Sequence, residues 1–305
     1  MSVFSVTIDG TTLFNNRILL LDAAGNTING DWLDCSEPLL LDLAAGEYRL
    51  GNQTSVSDFY FLVNDDGSLS LMPNTESFMQ IVNSTTLRLK GHRVKVDARY
   101  LTGDGIAWPT AHVATPGDGL VNGFIKNDII SLLPGLSYYV QSASGMVSNF
   151  YVKLTLEKEW QLLNPATMAP DSVYENFITL INDAYIPELH IFGYPLLIDG
   201  RSARHPLLLM DINGNAANGA NHTLYDNDGV LLVNLLPQRQ QSAGFAENDL
   251  YRFATETNQY GHPGFYVTNR GDIGFDPLYS LYFTVDRFNG LTRLTVLYPL
   301  PELIA

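Results

Sequence analysis

Short runs rich in Val, Ile, Leu, Phe, Tyr and Thr recur along the whole chain, as in Val6-Thr7-Ile8 and Phe59–Val63. Between them lie polar stretches punctuated by Asp-Gly, Gly-Asn, Asn-Gly and Pro-Gly pairs. Runs of this length and composition bounded by such pairs read as β-strands joined by tight turns. About seven of them in roughly 100 residues suit a two-sheet sandwich. Asp66-Gly67, between Phe59–Asn64 and Ser68–Leu71, predicts a hairpin with a type I′ turn, and Arg270-Gly271-Asp272 predicts a second. One stretch reads differently. Asp171 to Tyr185 places Val173, Phe177, Leu180 and Ile181 on one helical face behind an Asp cap, and Asp276-Pro277 opens a similar stretch. A short helix or turn is expected at both.

The strand pattern repeats. Gly91-His92-Arg93-Val94-Lys95-Val96-Asp97-Ala98-Arg99 matches Gly193-Tyr194-Pro195-Leu196-Leu197-Ile198-Asp199-Gly200-Arg201, with Val6-Thr7-Ile8-Asp9-Gly10 as a partial third copy. Further landmarks follow in the same order. Leu21-Asp22-Ala23-Ala24-Gly25-Asn26 matches Met210-Asp211-Ile212-Asn213-Gly214-Asn215, and Ala45-Gly46 before Tyr48 matches Pro134-Gly135 before Tyr138. An aromatic strand comes next each time, at Phe59-Tyr60-Phe61, Phe150-Tyr151 and Phe265-Tyr266. Ordered self-similarity of this kind is the mark of tandem structural repeats. The expected fold is all-β, three β-sandwich units at 1–91, 92–193 and 194–305. The junctions Lys90-Gly91-His92 and Phe192-Gly193-Tyr194 leave almost no linker, which predicts a rigid arrangement of the units.

The residues Leu21-Asp22, Gly25-Asn26, Asp211, Gly214-Asn215, Pro134-Gly135 and Tyr138 carry a resemblance. Their outline is similar to bacterial immunoglobulin-like and prealbumin-like β-sandwich modules, such as those repeated in invasin- and adhesin-type proteins. The middle unit departs from it, with Pro116-Gly117-Asp118-Gly119 in place of the Asp-x-x-Gly-Asn turn. The resemblance implies a binding or spacer role and brings no catalytic site with it.

Composition narrows the classes. In 305 residues the chain holds 32 acidic against 17 basic side chains, a net charge of −15. This argues against nucleic-acid binding, which needs clustered Lys and Arg. The acidity is spread, with 11 acidic against 4 basic residues in 1–91, 10 against 6 in 92–193 and 11 against 7 in 194–305. It serves solubility rather than capture of a basic partner. One cysteine excludes a disulfide framework, and Cys35 lies beside acidic residues that do not activate a thiol. No apolar run reaches the roughly 18 residues of a membrane span, and the amino terminus reads as a strand rather than a leader.

Candidate chemistry is sparse. Asp211 to Asn215 alternates oxygen-bearing side chains as a calcium loop does, but Ala216 and His222 stand where an EF-hand needs Gly and Glu. Turn formation accounts for it, as it does for Asp65-Asp66 and for Asp226 to Gly229. The six histidines form no metal-binding spacing, and no nucleophile elbow, phosphate loop or dinucleotide fingerprint occurs. No catalytic residue, metal or cofactor is expected. Trp32 and Trp108, flanked by Gly, Asp and Pro, are candidate aromatic contacts for a sugar or a protein, with sandwich core as the competing role. Gln238 and Arg239 open the main insertion of the third unit and are candidate ligand contacts, because loops concentrate function. The sequence therefore points to a non-enzymatic binding or structural protein with a protein or glycan partner; it fixes no compartment and leaves a secreted or cell-surface role open. A secreted toxin or effector acting on a host surface is the alternative.

Overall fold

A computed structural model describes residues 2–14, 17–28, 33–34, 36–51, 56–100, 111–114, 125, 127–142, 150–164, 167–172, 175–202, 207–210, 230–235, 251–255, 258–268, 270–275 and 277–297. The regular secondary structure of the described residues is almost entirely strand. A first set comprises β1 (Val3–Asp9), β2 (Arg17–Asp22), β3 (Leu33–Asp34), β4 (Leu39–Ala44), β5 (Gly46–Gly51), β6 (Val56–Val63), β7 (Leu69–Leu71), β8 (Met79–Asn83) and β9 (Thr86–Leu89). A second comprises β10 (His92–Asp97), β11 (Ala111–Ala114), β12 (Asn127–Leu132), β13 (Ser137–Ser142), β14 (Phe150–Leu154), β15 (Trp160–Leu163), β16 (Ile178–Ile181) and β17 (Glu188–Ile191). A third comprises β18 (Tyr194–Asp199), β19 (Leu207–Met210), β20 (Val230–Leu235), β21 (Tyr251–Thr255), β22 (Asn258–Val267), β23 (Ile273–Phe275), β24 (Phe283–Phe288) and β25 (Leu291–Val296).

These strands form six sheets. Three share one plan, with orders β4-β1-β9-β8, β12-β10-β17-β16 and β20-β18-β25-β24. In each, the first strand of the set pairs in parallel with the last, and the other pairings are antiparallel. The register matches too: Ile8 faces Leu87, Val96 faces Leu189 and Ile198 faces Leu294. The other three sheets are β3-β2-β5-β6-β7, β11-β13-β14-β15 and β19-β21-β22-β23. Alternation along each strand puts one face inward, as in β9, β17 and β25, where every second residue is buried. The inward residues form one continuous apolar cluster in which Val6, Ile8, Phe61, Val94, Phe177, Leu196 and Phe265 are fully buried. Ring pairs add to it, Tyr48 on Phe61 at 5.7 Å and Tyr251 on Phe265 at 5.5 Å between centroids.

Two tyrosines fix the corner where the chain crosses from one sheet to the other. The Tyr48 hydroxyl donates to the Ala44 carbonyl at 2.9 Å, and the Tyr138 hydroxyl to the Leu133 carbonyl at 2.7 Å. The Ala-Gly and Pro-Gly pairs ahead of these tyrosines make the bend, and the hydroxyl satisfies a carbonyl freed by it.

The hairpins differ from the expectation. Gly67 has a φ of +81° but Asp66 does not share the left-handed region, so the loop is not type I′. Three residues separate the paired ends: Asn64 N–H donates to the Ser68 carbonyl at 2.8 Å and Gly67 N–H to the Asn64 carbonyl at 2.9 Å. That is a turn closed by a left-handed residue, the three-residue hairpin with a bulge. The same pair of bonds closes Asp22 to Asn26, Thr155 to Glu159 and Thr268 to Asp272. The left-handed position is glycine at 25, 67 and 271, and Lys158 in the second set. A type I′ hairpin does occur at Asn289-Gly290, with φ of +49° and +81°.

Of the short helix or turn expected within Asp171 to Tyr185, the described residues form a turn followed by a strand and no helix. Glu175 to Phe177 form a turn, and Ile178–Ile181 is strand β16. Pairing with β17 overrides the helical spacing, because Ile178, Thr179 and Ile181 are β-branched and suit a pleated surface. In the third set a single 3₁₀ turn, Pro277–Tyr279, follows Asp276.

Candidate binding site

A buried carboxylate lies at the end of each first strand. Asp9, Asp97 and Asp199 are buried, at 7%, 1% and 4% exposure. Asp97 accepts Nε and Nη2 of Arg99 at 2.9 and 2.6 Å and the Arg99 backbone N–H at 3.1 Å. Asp199 takes the same three bonds from Arg201, at 2.9, 2.5 and 3.1 Å. Asp9 accepts the Thr11 hydroxyl at 2.7 Å and Arg88 Nε at 2.8 Å. Those bonds hold all three carboxyls below the usual carboxylate value, Asp9 first through Thr11, Asp97 through Arg99 and Asp199 through Arg201. Each is an ionised acceptor whose oxygens are occupied, for Asp97 and Asp199 by an arginine of the same turn and for Asp9 by Thr11 of its turn and Arg88 of β9. The apolar-Asp-small-Arg pattern of the sequence is thus a cap that closes the strand end.

Around Asp97, Glu188 bridges Lys95 Nζ at 2.8 Å and His190 Nε2 at 2.7 Å. In the third set Arg293 pairs bidentately with Asp286 and lies 4.0 Å from Asp199. The turn beginning at Asp22 explains why the Asp-x-x-Gly-Asn pattern does not need a metal. Asp22 Oδ1 accepts the N–H groups of Ala24 and Asn26 at 2.9 and 2.8 Å, and with the Asn26 side chain these lower its pKa. Among the described residues no three His, Cys, Asp or Glu side chains are grouped to hold a metal ion. The Asp211 to Asn215 and Asp226 to Gly229 loops lie outside the described residues.

A groove opens in the second set, between the facing edges of the two sheets. It is an open groove of about 860 Å³ between β15 and β16. Gln161, Asp171, Ser172, Glu175, Asn176 and Thr179 supply its polar wall, and Leu162, Ile178 and Leu180 its apolar one. Trp160 also lines it, 2% exposed, and its indole Nε1–H is buried without a hydrogen-bond partner. The backbone at Trp160 is clamped, its N–H donating to Asn182 Oδ1 at 2.7 Å and its carbonyl accepting Asn182 Nδ2 at 2.9 Å. Asp171 N–H bonds the Leu162 carbonyl at 3.0 Å, and Leu163 bridges Pro170. The β15 edge is therefore closed to an added strand at these positions, and the groove is reached by side chains alone.

Trp32, Trp108, Gln238 and Arg239 all lie outside the described residues, as does Cys35. The residue that sequence reasoning passed over is Trp160, the third of the three tryptophans. It sits where Leu69 and Ile273 stand in the other sets, each one residue into the strand after a three-residue hairpin loop. A tryptophan replacing aliphatic residues at one matched position is the signal that could have found it. Arg270-Gly271-Asp272 lies in the hairpin loop ending at Asp272, with Gly271 beneath the Tyr194 ring.

No family model matches the sequence, and no curated protein matches it. Among solved structures, the C-terminal fragment of the pilus adhesin SpaC from Lactobacillus rhamnosus GG is similar at 13% identity. That likeness covers 62% of this chain and 96% of the fragment, with a TM-score of 0.23. The open conformation of SpaC is similar at 11% identity over 99% of this chain, with a TM-score of 0.22. The chain spans 44% of the length of that structure. Scores this low establish neither a common topology nor a shared role.

Proposed function

We propose that the chain is a non-enzymatic binding or spacer protein of three tandem β-sandwich modules, 1–91, 92–193 and 194–305, that presents its surfaces to a protein or glycan partner. The observation that carries this reading is the junction, which is built the same way twice. The N–H groups of Lys90 and Gly91 both donate to the Phe78 carbonyl, at 2.8 and 3.2 Å, and those of Phe192 and Gly193 to the Phe177 carbonyl, at 3.0 and 3.1 Å. Gly91 and Gly193 have φ of +65° and +70°, so the chain turns from one last strand straight into the next first strand. A Cβ at Gly91 would meet the Leu132 carbonyl oxygen at 3.0 Å. Each seam is bridged again nearby: Phe14 N–H donates to the Ser131 carbonyl and Asn234 Nδ2 to the Tyr100 carbonyl, both at 2.9 Å. Ser131 and Asn234 occupy matching register positions, opposite Arg93 and Pro195.

Such seams support modules held at a fixed angle, as a scaffold for presentation requires. The buried carboxylates fit the same role, since their partners close strand ends and leave no oxygen poised for proton transfer. Small-angle scattering of the full chain tests the architecture, with one rigid particle expected. A distribution typical of freely jointed domains overturns it. A glycan array run beside a pull-down from candidate partner cells tests the binding role, and a spacer alone yields no ligand in either.

A further inference from the structure

The groove beside Trp160 owes its existence to one length difference. The connection from β15 to β16 runs over residues 164–177, twice as long as the matching connections at 72–78 and 276–282. Asp171, Ser172, Glu175 and Asn176, four of its wall residues, come from this longer connection. Extra chain that packs back along β15 and leaves an open groove of mixed polar and apolar lining is built unlike its two counterparts.

We propose that this groove is a subsite for a neutral sugar residue, a proposal that rests on the binding role above and names its ligand. Three features select that class. The wall mixes donors and acceptors, with the amides of Gln161 and Asn176 and the hydroxyls of Ser172 and Thr179, and sugar hydroxyls both donate and accept. Asp171 and Glu175 bring two carboxylates and the described residues of the wall include no Lys or Arg, so an anionic ligand is repelled. The Trp160 indole N–H is a buried donor with no acceptor. An ammonium or guanidinium group has only donors and leaves it unmatched, whereas a ligand oxygen satisfies it as the wall adjusts to admit the ring. Leu162, Ile178 and Leu180 give the C–H face of the sugar an apolar surface.

The test uses the full chain labelled with nitrogen-15, whose three tryptophans give three indole N–H signals. Trp160→Phe identifies the Trp160 signal by its loss. The labelled protein is titrated with neutral hexose and N-acetylhexosamine oligomers, and separately with oligolysine, at low and high salt. The expected result is a saturable shift of the Trp160 signal with at least one neutral oligomer, unchanged by salt. Trp160→Phe then weakens that binding by about tenfold. Asn176→Ala, an exposed change outside the core, weakens it in the same direction and guards against misfolding of the first variant. The proposal is overturned if oligolysine moves the signal and no sugar does, or if sugars move only the other two indole signals. It is also overturned if no sugar binds. In that case a partner retained in the pull-down leaves the binding role standing, and its absence removes both.

Discussion

Replacing Gly271 by alanine sets a backbone constraint and a packing constraint against each other at one position. Gly271 has a φ of +82°, and a Cβ there would lie 2.3 Å from Cε2 of Tyr194. Adopting the left-handed region costs alanine about 1 kcal/mol relative to glycine. Carbon contacts settle at about 3.5–4.0 Å, so the tyrosine ring must move by more than an ångström. That movement breaks the 2.7 Å bond between the Tyr194 hydroxyl and Thr292 Oγ1, worth about 1 kcal/mol. Overpacking adds about 1–3 kcal/mol. Gly271→Ala is therefore expected to destabilise the third strand set by about 3–5 kcal/mol. The second set supplies the opposite case. There the left-handed residue is Lys158, with a φ of +71°, and the residue matching Tyr194 is His92. Lys158→Gly relieves backbone strain and is expected to stabilise by about 1 kcal/mol. Hydrogen exchange read by mass spectrometry across a urea series resolves each strand set separately, which bulk unfolding of a multi-sheet chain does not. A Gly271→Ala chain within 1 kcal/mol of wild type refutes the reasoning, as does a Lys158→Gly chain that loses stability.

Acid should weaken the fold through the strand-end carboxylates. Asp9, Asp97 and Asp199 all have pKa values below the ordinary 3.8, so their contribution is full above that value and disappears as pH falls through it towards their folded values. The melting temperature should drop below about pH 4, and Asp97→Asn should lower it at neutral pH but close the gap in acid; a melting temperature that rises on acidification contradicts this. Tyr138→Phe removes the hydroxyl from a residue only 2% exposed and leaves the Leu133 carbonyl without it, at a cost of about 1–2 kcal/mol by denaturant titration. An unchanged midpoint would show that the corner does not depend on that bond.

The strands were readable because they rest on local chemistry. Gly91 and Gly193 mark turns only a residue tolerant of positive φ makes cheaply, and Asp97-Ala98-Arg99 and Asp199-Gly200-Arg201 spell a cap whose members are two residues apart. Tyr48 and Tyr138 recur because each reaches back to a carbonyl at the same corner. The hairpin type was not readable, since Asp-Gly suits both a two-residue and a three-residue loop. What decides between them is which residues pair across the turn, here Asn64 with Ser68. The helical spacing of Val173, Phe177, Leu180 and Ile181 was real, but a strand partner at β17 outweighs it. The groove escaped notice because it depends on the distance between two sheet edges. Trp160 is core except for its unpaired N–H.

The parallel pairing of first and last strands has a mechanical consequence. In a parallel pair the start of one strand and the end of the other lie at opposite ends of the ladder. Tension applied along the polypeptide between the beginning of β10 and the end of β17 therefore pulls the two strands past each other. Their hydrogen bonds run across the direction of pull and are strained together rather than unzipped one after another. A sheet wired this way resists stretching in shear, and the same wiring appears at β1 with β9 and at β18 with β25.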